Sequence, residues 1–486
     1  MSPSENRELS TAGVRYGLDD RPPPVQTAVL AIQHVLTMFG STVAVPLILG
    51  PAMGMQTPEI AVLISSVMLC SGIATLIQAT FGSRLPIIQG VSFSFLAAFF
   101  IIIGEQHPEG STEVAAGAAM PYIAGAVMAG AVLEMVIGFT GAMGWIRRVL
   151  SPVVVGPVIM LIGLALYEAG APVAASHWPI SILTMTLIVL FSFVLSKRFT
   201  AFAIFPMLLA ILASVAVCAL LTMAGIFGED HPARTDLSAF RSAAWIRTTD
   251  IFLPWGLPRF QASYIVAVLA GYLASMIESF GDYHACKQMA GGGDPTEKEI
   301  SRGIGCEGIG CALTGLLGGF SSTSYSENVG LIGLTGVGSR YVVQVGAVIL
   351  IALGVLGKFG ALAAAIPQPV VGGLYCALFG LISAVGIRQF SRADLSLDRN
   401  LFIGGFALFM GLSVQHYFKN AGGADAAIAT LPSGVGDVVA AIGQTGMAVA
   451  AVLGIALDNT LAATPEQRGL RLAENESSSD NGPAKI

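Results

Sequence analysis

The sequence is poor in charge. Only 11% of its 486 residues are Asp, Glu, Lys or Arg, whereas 54% are hydrophobic. A soluble protein carries about 25% charged residues, and its core could not absorb such an excess of apolar side chains. No basic stretch of the kind that binds nucleic acid occurs either. The composition excludes a soluble globular protein, and no nucleic-acid partner is expected.

Cysteine motifs and a signal peptide are also lacking. The first 24 residues are polar and contain no apolar core of a signal peptide, so we expect no cleavage. The polar segment 459–486 is typical of a disordered tail. Because no Cys-x-x-Cys pair occurs, we expect neither disulfides nor a metal site. We interpret the cysteines as small buried hydrophobic residues, and they are Cys70, Cys218, Cys286, Cys306, Cys311 and Cys376.

Long apolar runs take the place of these motifs. About fourteen of them approach the length that crosses ~30 Å of hydrocarbon. They predict an all-α membrane protein that passes repeatedly through the bilayer of the plasma (inner) membrane. The third run, 86–103, and the tenth, 321–337, are short and begin with strand-like residues. We therefore expect short strands in spans three and ten.

Lys and Arg predict the orientation, because short cytoplasmic loops are enriched in them. With the N-terminus inside, both termini are cytoplasmic, and twelve basic residues fall in short inner loops against two in short outer loops. The segment 227–260 is one long outer loop, to which the rule applies less strictly. The inner residues are Arg84, Arg147, Arg148, Lys197, Arg198, Lys287, Lys298, Arg302, Arg340, Arg388, Arg392 and Arg399, and the outer ones are Lys358 and Lys419.

An internal repeat divides the chain. P-V-V-V-G-P-V-I-M-L-I-G-L from Pro152 and P-V-V-G-G-L-Y-C-A-L-F-G-L from Pro369 agree at seven of thirteen positions. Seven spans per half is an odd number, so the halves must be inverted relative to each other, as in many transporters. The predicted order is a cytoplasmic tail 1–24, a first repeat 25–226, the outer loop 227–260, a second repeat 261–458 and the tail 459–486.

Two interruptions occupy matching places in the halves. L-P-I-I-Q-G-V-S-F-S-F covers 85–95, and G-F-S-S-T-S-Y-S-E-N-V-G covers 319–330. Each precedes its Pro-Val-Val segment by two spans. In transporters, a pair of interrupted segments marks the substrate site near the bilayer midplane. We therefore expect the site where the two interruptions meet.

Carboxylates in apolar spans are costly and indicate function. Glu278 and Asp282 share one helical face and would repel unless a proton or cation lies between them; alternatively, Asp282 only caps the cytoplasmic end of its helix. Glu327 follows an extended run and opens a helix. Together with free backbone N–H groups, its carboxylate suits a planar molecule that carries both N–H and C=O groups. A simple cap is again the alternative.

Three further polar residues have two interpretations each. His34, beside Gln33, either lines the site and handles protons or only joins two helices. For Glu134 we favour an ion pair with Arg147 and Arg148 in the next loop. Glu307, among small residues, lies either in a packed seam or in the cavity.

Four motifs carry a resemblance to a known family: Q-H-V-L-T at 33–37, G-V-S-F-S-F at 90–95, E-S-F-G-D-Y at 278–283 and E-N-V-G-L-I-G-L-T-G at 327–336. Over 25–458 the chain resembles the nucleobase–ascorbate transporters, or nucleobase:cation symporter-2 family. The resemblance implies about fourteen spans in two inverted repeats, a core and a gate domain, and a homodimer.

The resemblance also assigns roles to residues. It implies that Glu278 and Glu327 bind a nucleobase and that backbone at Phe93 and Ser326 contacts it. The matches of His34, Asp282 and Asn328 would support the site or the coupling, with His34 and Asn328 beside the substrate and Asp282, His34 and Glu278 handling the ion.

The substrate is less sharply indicated. Glu327 resembles uracil-type permeases, but those often carry His where this chain has Asp282. The flanking G-D-Y-H-A-C and T-G-V-G-S-R resemble the ascorbate branch, which includes sodium-dependent nucleobase carriers. The hypothesis is a proton-coupled symporter for uracil or xanthine, without a cofactor. Alternatives are a sodium-coupled nucleobase or ascorbate-like carrier, or an anion carrier or channel on the same fold. An enzyme is not expected.

Overall fold

Over the residues that the structure describes, the protein is helical almost throughout, with one small pair of strands. The computed structural model describes residues 14–106, 115–248, 250–419 and 428–470. The strands are β1 Gln89–Val91 and β2 Ser322–Ser324. The helices are α1 Pro24–Ala52, α2 Thr57–Thr80, α3 Leu96–Gln106, α4 Met120–Thr140, α5 Met143–Val149, α6 Pro152–Ala165, α7 Tyr167–Ala174, α8 Trp178–Val189, α9 Thr200–Ile204, α10 Pro206–Met223, α11 Ser238–Ser242, α12 Ala262–Met289, α13 Glu297–Leu317, α14 Ser326–Thr335, α15 Arg340–Val355, α16 Gly357–Ala364, α17 Gln368–Phe390, α18 Asp398–Lys419, α19 Ser433–Gln444 and α20 Gly446–Thr460.

Fewer helices than expected are long enough to cross a membrane. Among the described residues, nine helices have the required length and apolar composition, or ten if α19 and α20, bent by 102° at their junction, form one span. The predicted third and tenth spans are absent from this count because strands split them, which leaves α3 with 11 residues and α14 with 10. The number of about fourteen spans stays a prediction.

The two predicted strands are confirmed, and they pair with each other. β1 and β2 run antiparallel, with Gln89 opposite Ser324 and Val91 opposite Ser322. All six residues are buried. Irregular backbone is tolerated at membrane depth only where protein covers it and its polar groups are bonded. The pairing meets that requirement, because each strand supplies partners for the other.

Two compact units divide the chain, and each draws on both halves of the sequence. The larger contains Met1–Met143 and Ala165–Gly380. In it, the long loop 227–260 is fastened by Arg247, whose guanidinium donates 3.2 Å to the carbonyl of Gly354 and 3.1 Å to the hydroxyl of Ser66. The segment before α1 is fastened as well, since Asp19 pairs with Arg340 at 2.7 Å. Residues 1–13 of the predicted tail lie outside the described residues.

The smaller unit, Gly144–Leu164 and Leu381–Ile486, has a buried ion cluster. Asp458 accepts hydrogen bonds from the hydroxyl of Ser151 at 2.7 Å and from the guanidinium groups of Arg399 at 3.0 Å and Arg468 at 2.6 Å. Because Arg468 is held in this way, the disorder predicted for 459–486 does not apply to the part up to residue 470. The remainder, 471–486, lies outside the described range.

Candidate substrate site at the paired strands

Each strand leads directly into a short helix, so two helix beginnings lie beside the strand pair. After β1, the hydroxyl of Ser92 caps a tight turn of helix at Phe93–Phe95 that continues into α3. After β2, Tyr325 precedes α14, and the first bond of that helix runs from the N–H of Asn328 to the carbonyl of Tyr325 at 3.1 Å. The N–H groups of Ser326 and Glu327 precede it and have no acceptor within the helix. The N–H of Glu327 is bonded to its own carboxylate, so the N–H of Ser326 is the one available to a ligand oxygen.

Tyr325, which directly follows β2, connects that strand to β1 and to α1 through its side chain. Its hydroxyl donates to the carbonyl of Val91 at 3.0 Å and accepts from the hydroxyl of Thr42 at 3.2 Å. Its ring lies against Gly90, where a Cβ atom would come within 2.5 Å of the ring carbon Cζ. Only glycine fits at that position without moving the ring. The strand pair, α1 and α14 are therefore built around one buried phenol.

Asp282 fixes the beginning of α14 rather than the end of its own helix. Its two carboxylate oxygens accept from the hydroxyls of Ser324 and Ser326, both at 2.6 Å. The side chain is buried, and α12 continues past it to Met289. The alternative that Asp282 merely caps the cytoplasmic end of α12 is thus wrong. Its carboxylate links α12 to the strand–helix junction.

His34 and Asn328 join α1 to α14. The side-chain amide of Asn328 donates to the carbonyl of His34 at 2.9 Å and lies 3.1 Å from its Nδ1. Both side chains are buried. The helix-to-helix contact proposed for His34 is therefore present, and its part in ion coupling stays a prediction.

Four of the predicted site residues are at least partly exposed. Ser326 and Glu327 are exposed, and Phe93 and Glu278 are half-buried. Glu327 accepts a 3.3 Å hydrogen bond from the hydroxyl of Ser41. Glu278 makes no hydrogen bond to any described residue, and its nearest electrostatic influences are other carboxylates, first of all that of Asp282. Two carboxylates with acceptor capacity thus lie near the free backbone N–H of Ser326.

Sequence reasoning missed the hydroxyl groups that complete this site. Ser279 lies within E-S-F-G-D-Y and bonds to Ser324 at 3.0 Å. Ser41, which bonds to Glu327, follows His34 by seven positions and so lies on the same face of α1. That spacing was the available signal. Serine is common in membrane helices, so the signal is weak without a known face.

The two glutamates left open by the sequence lie together elsewhere. Glu134 is fully buried, and neither of its oxygens has a hydrogen-bond partner in the described structure. The predicted ion pair is wrong for Arg148, whose side chain is exposed; the side chain of Arg147 is outside the description. Glu307 is buried and bonded to Ser279 at 2.8 Å, which places it in the packed seam.

Comparison with protein families gives a match over most of the chain. The model of a permease family matches residues 25–420. Human "Solute carrier family 23 member 2" is 37% identical over 498 residues, which cover 94% of this chain and 76% of that protein. Rat "Solute carrier family 23 member 1" is 38% identical, covering 94% and 82%. "Nucleobase-ascorbate transporter 2" of Arabidopsis thaliana is 35% identical, covering 84% and 80%.

Solved structures share the fold at low sequence identity. The transmembrane domain of the cyanobacterial bicarbonate transporter BicA aligns with a TM-score of 0.53 at 16% identity, covering 88% of this chain and all of that one. The murine Solute Carrier 26 family member A9 anion transporter aligns with a TM-score of 0.59 at 10% identity, covering 91% and 68%. At such identities the likeness concerns the fold alone.

Proposed function

The chain belongs to the nucleobase–ascorbate transporter family of membrane transporters, and from this premise we propose that it imports a nucleobase, uracil or xanthine, together with a proton. One observation carries the proposal. Glu278 is accessible and has no hydrogen-bond partner in the described residues, while the hydrogen-bonded Glu327 lies beside the free N–H of Ser326 at the beginning of α14.

The chemistry of a nucleobase edge suits this arrangement. Uracil and xanthine present ring N–H donors and carbonyl acceptors in one plane. We propose that Glu278 and Glu327 accept the ring N–H bonds, while the backbone N–H groups of Phe93 and Ser326 donate to the carbonyls. His34 and Asn328 hold α14 in place behind the base. A buried donor or acceptor left unpaired costs about 1–3 kcal/mol, so bases that lack a matching edge are rejected.

The same carboxylates disfavour anionic cargo. Two solved relatives of the fold are named as transporters of bicarbonate or anions. Here Glu278, Glu327 and Asp282 lie around the accessible space, and negative charges repel an anion. An ascorbate-like acid would need the charge of a co-transported cation to offset the same repulsion. A neutral base does not, and a cation that enters with it relieves the repulsion among the carboxylates.

The coupling ion is part of the proposal. We propose that Glu278 and Asp282 carry the proton and that His34 takes part in its transfer. Sodium is the second candidate, because the carboxylate of Asp282 and the hydroxyls of Ser324 and Ser326 are hard oxygen ligands.

The wider architecture also belongs to the proposal: fourteen spans in two inverted repeats, a core moving against a gate, a homodimer, and both termini in the cytoplasm.

Uptake of labelled base tests the proposal. Cells expressing the protein should accumulate labelled uracil or xanthine, and a protonophore should abolish uptake while removal of sodium should not. Glu278→Gln and Glu327→Gln each lose a charged acceptor worth about 1.5–3 kcal/mol, which is roughly a 10- to 100-fold loss of apparent affinity.

Glu297→Gln is the matched control, because that glutamate is exposed in the first turn of α13. It should transport normally. Unchanged affinity in Glu278→Gln would refute the assignment of the base to this site. Uptake that requires sodium and is unaffected by the protonophore would show that sodium, and not a proton, is the coupling ion.

A further inference from the structure

The seam between α4 and α13 encloses two acidic side chains away from the substrate site. The helices approach closely because small residues face each other: a Cβ atom on Gly308 would lie 3.0 Å from the carbonyl oxygen of Ala131. Glu134 and Glu307 lie in this seam with exposures of 0% and 1%. The carboxylate of Glu307 acts electrostatically on that of Glu134, and both act on the hydroxyl of Tyr283. The function proposed above does not use either of them.

The two acids have very different surroundings. Glu307 accepts hydrogen bonds from three hydroxyls of α12: Ser275 at 3.1 Å, Ser279 at 2.8 Å and Tyr283 at 2.9 Å. Neither oxygen of Glu134 accepts from a hydroxyl among the described residues, and the thiol of Cys311, a weak donor, is the polar group beside it. Three donors stabilise a charged carboxylate, whereas a charged carboxylate without donors is prohibitively costly when buried.

No basic side chain of the described structure forms an ion pair with either acid. The titratable groups facing Glu134 are Glu307 and Cys311 of α13 and Tyr272 of α12. Those facing Glu307 from α12 are Tyr283 and Glu278. All of them are acids or neutral. Two buried carboxyl groups in such surroundings cannot both be charged, so one needs a bound cation.

We propose that Glu134 and Glu307 form a second cation site that binds one proton, with the proton on Glu134 and the negative charge on Glu307. Its occupancy is a property of the folded protein without substrate. Any part it plays in transport rests on the proton-coupled function proposed above.

A chain of hydroxyls connects this site to the substrate site. Glu307 accepts from Ser279; the hydroxyl of Ser324 lies 3.0 Å from that of Ser279 and 2.6 Å from Asp282. Ser324 has a single hydroxyl hydrogen, so it can donate to Asp282 or to Ser279 but not to both. When Asp282 is charged, it takes that hydrogen. When Asp282 is protonated, it can donate to Ser324, whose own hydrogen then turns to Ser279. Protonation of Asp282 therefore changes the hydrogen bonding of Ser279, which is a donor to Glu307.

Infrared spectroscopy of the purified, substrate-free protein tests the site. The carbonyl stretch of a protonated, buried carboxylic acid should be present at neutral pH and should move when the glutamates are labelled with ¹³C. Glu134→Gln, which has the shape of the protonated acid, should remove one component of that band. Glu307→Gln should keep it, because Glu134 still has only the weak thiol donor of Cys311 beside it. The exposed Glu297→Gln serves as the control and should change nothing.

Several outcomes would overturn the proposal. A band that survives in Glu134→Gln, or one that disappears in Glu307→Gln instead, places the proton elsewhere. Loss of the band on adding sodium identifies a sodium site. If Glu134→Gln does not fold, Cys311→Ser puts a stronger donor beside Glu134 and must shift the same component; no shift contradicts the assignment. Failure of base uptake with the band assigned to Glu134 would refute the transport proposal but not this one.

Discussion

At the scale of single residues, the contact of Gly90 with Tyr325 is the tightest constraint on the strand pair. The hydroxyl of Tyr325 donates to the carbonyl of Val91 and accepts from the hydroxyl of Thr42, and these two bonds hold the ring in its position. A methyl group at position 90 would need the space that the ring occupies. The whole strand–helix junction therefore depends on the absence of one side chain.

Gly90→Ala should accordingly destabilise the protein and weaken base binding together. Overpacking of this kind costs about 1–3 kcal/mol. The measurement is thermal unfolding of the purified protein with and without a saturating base. Gly104→Ala is the control, because that helical glycine has nothing within 4 Å of an added Cβ; it should be neutral or slightly stabilising. An unfolding temperature for Gly90→Ala equal to that of the control would show that the ring adapts.

The charged residues were the part of the candidate site that could best be predicted from the sequence. Glu278, Asp282 and Glu327 could be selected from the sequence because a carboxylate in an apolar span is costly and needs a reason. Their partners could not, since Ser41 and Ser324 resemble any other serine in the chain. Glu134 was misjudged for a related reason. Nearness in sequence to Arg148 suggested a pair, but the side chain turns into the seam with α13.

At the scale of elements, the ends of helices are fastened by buried charges as much as by packing. In the smaller unit, Asp458 near the end of α20 holds Arg399 of α18 and Arg468 of the following turn. Its own side chain is 0% exposed, and both arginine side chains are 15% exposed. Removal of the carboxylate would leave two largely buried cations without their counter-ion.

Asp458→Asn should therefore be strongly destabilising. Breaking a buried pair by removing one partner costs about 3–5 kcal/mol. Asp394→Asn is the matched control, because that exposed aspartate only caps a turn at Ser396, and its replacement should leave the unfolding transition close to that of the unmutated protein. Chemical or thermal unfolding of the two variants in detergent gives the comparison. Equal stability of both would mean that solvent reaches the arginines.

Elements with a regular sequence pattern were predicted well, but the ion pairs that hold them together were not. The strand-like openings at 85–95 and 319–330 are confirmed as β1 and β2, and the Pro-Val-Val segments begin helices at Pro152 and Gln368. Polarity suggested that residues 459–470 were disordered. It could not reveal that Arg468 finds Asp458, since an ion pair across several turns leaves no periodic signal.

At the scale of the whole molecule, the direction of insertion governs which residues each side of the membrane can reach. The distribution of Lys and Arg predicts that 227–260 is outside and that the turn before α13 is inside. The native cysteines barely interfere with labelling, because five are buried and Cys376 is half-buried.

Two single cysteines test this orientation. Asp230→Cys in the outer loop should react with a membrane-impermeant maleimide on intact cells. Lys298→Cys, at the beginning of α13, should react only after the cells are permeabilised. Both positions are exposed in the structure. Reaction of Lys298→Cys on intact cells would reverse the predicted orientation, and the unmutated protein gives the background.

The number of spans was the least accessible feature at this scale. Hydropathy counts apolar stretches, but it does not distinguish a continuous helix from a strand followed by half a helix. Among the described residues, long apolar helices account for nine or ten crossings. The broken segments are the ones that hold the candidate site, so the irregularity that defeats counting coincides with the proposed binding site.

The pairing of β1 with β2 has a consequence for biosynthesis. Tyr325 and its acceptor Val91 are 234 positions apart, so a ribosome inserts the third segment into the membrane long before its partner exists. Until the tenth segment arrives, the backbone of β1 has no strand beside it in a medium without water. A nascent chain released before residue 324 should therefore be degraded by membrane quality-control proteases faster than one released after α14.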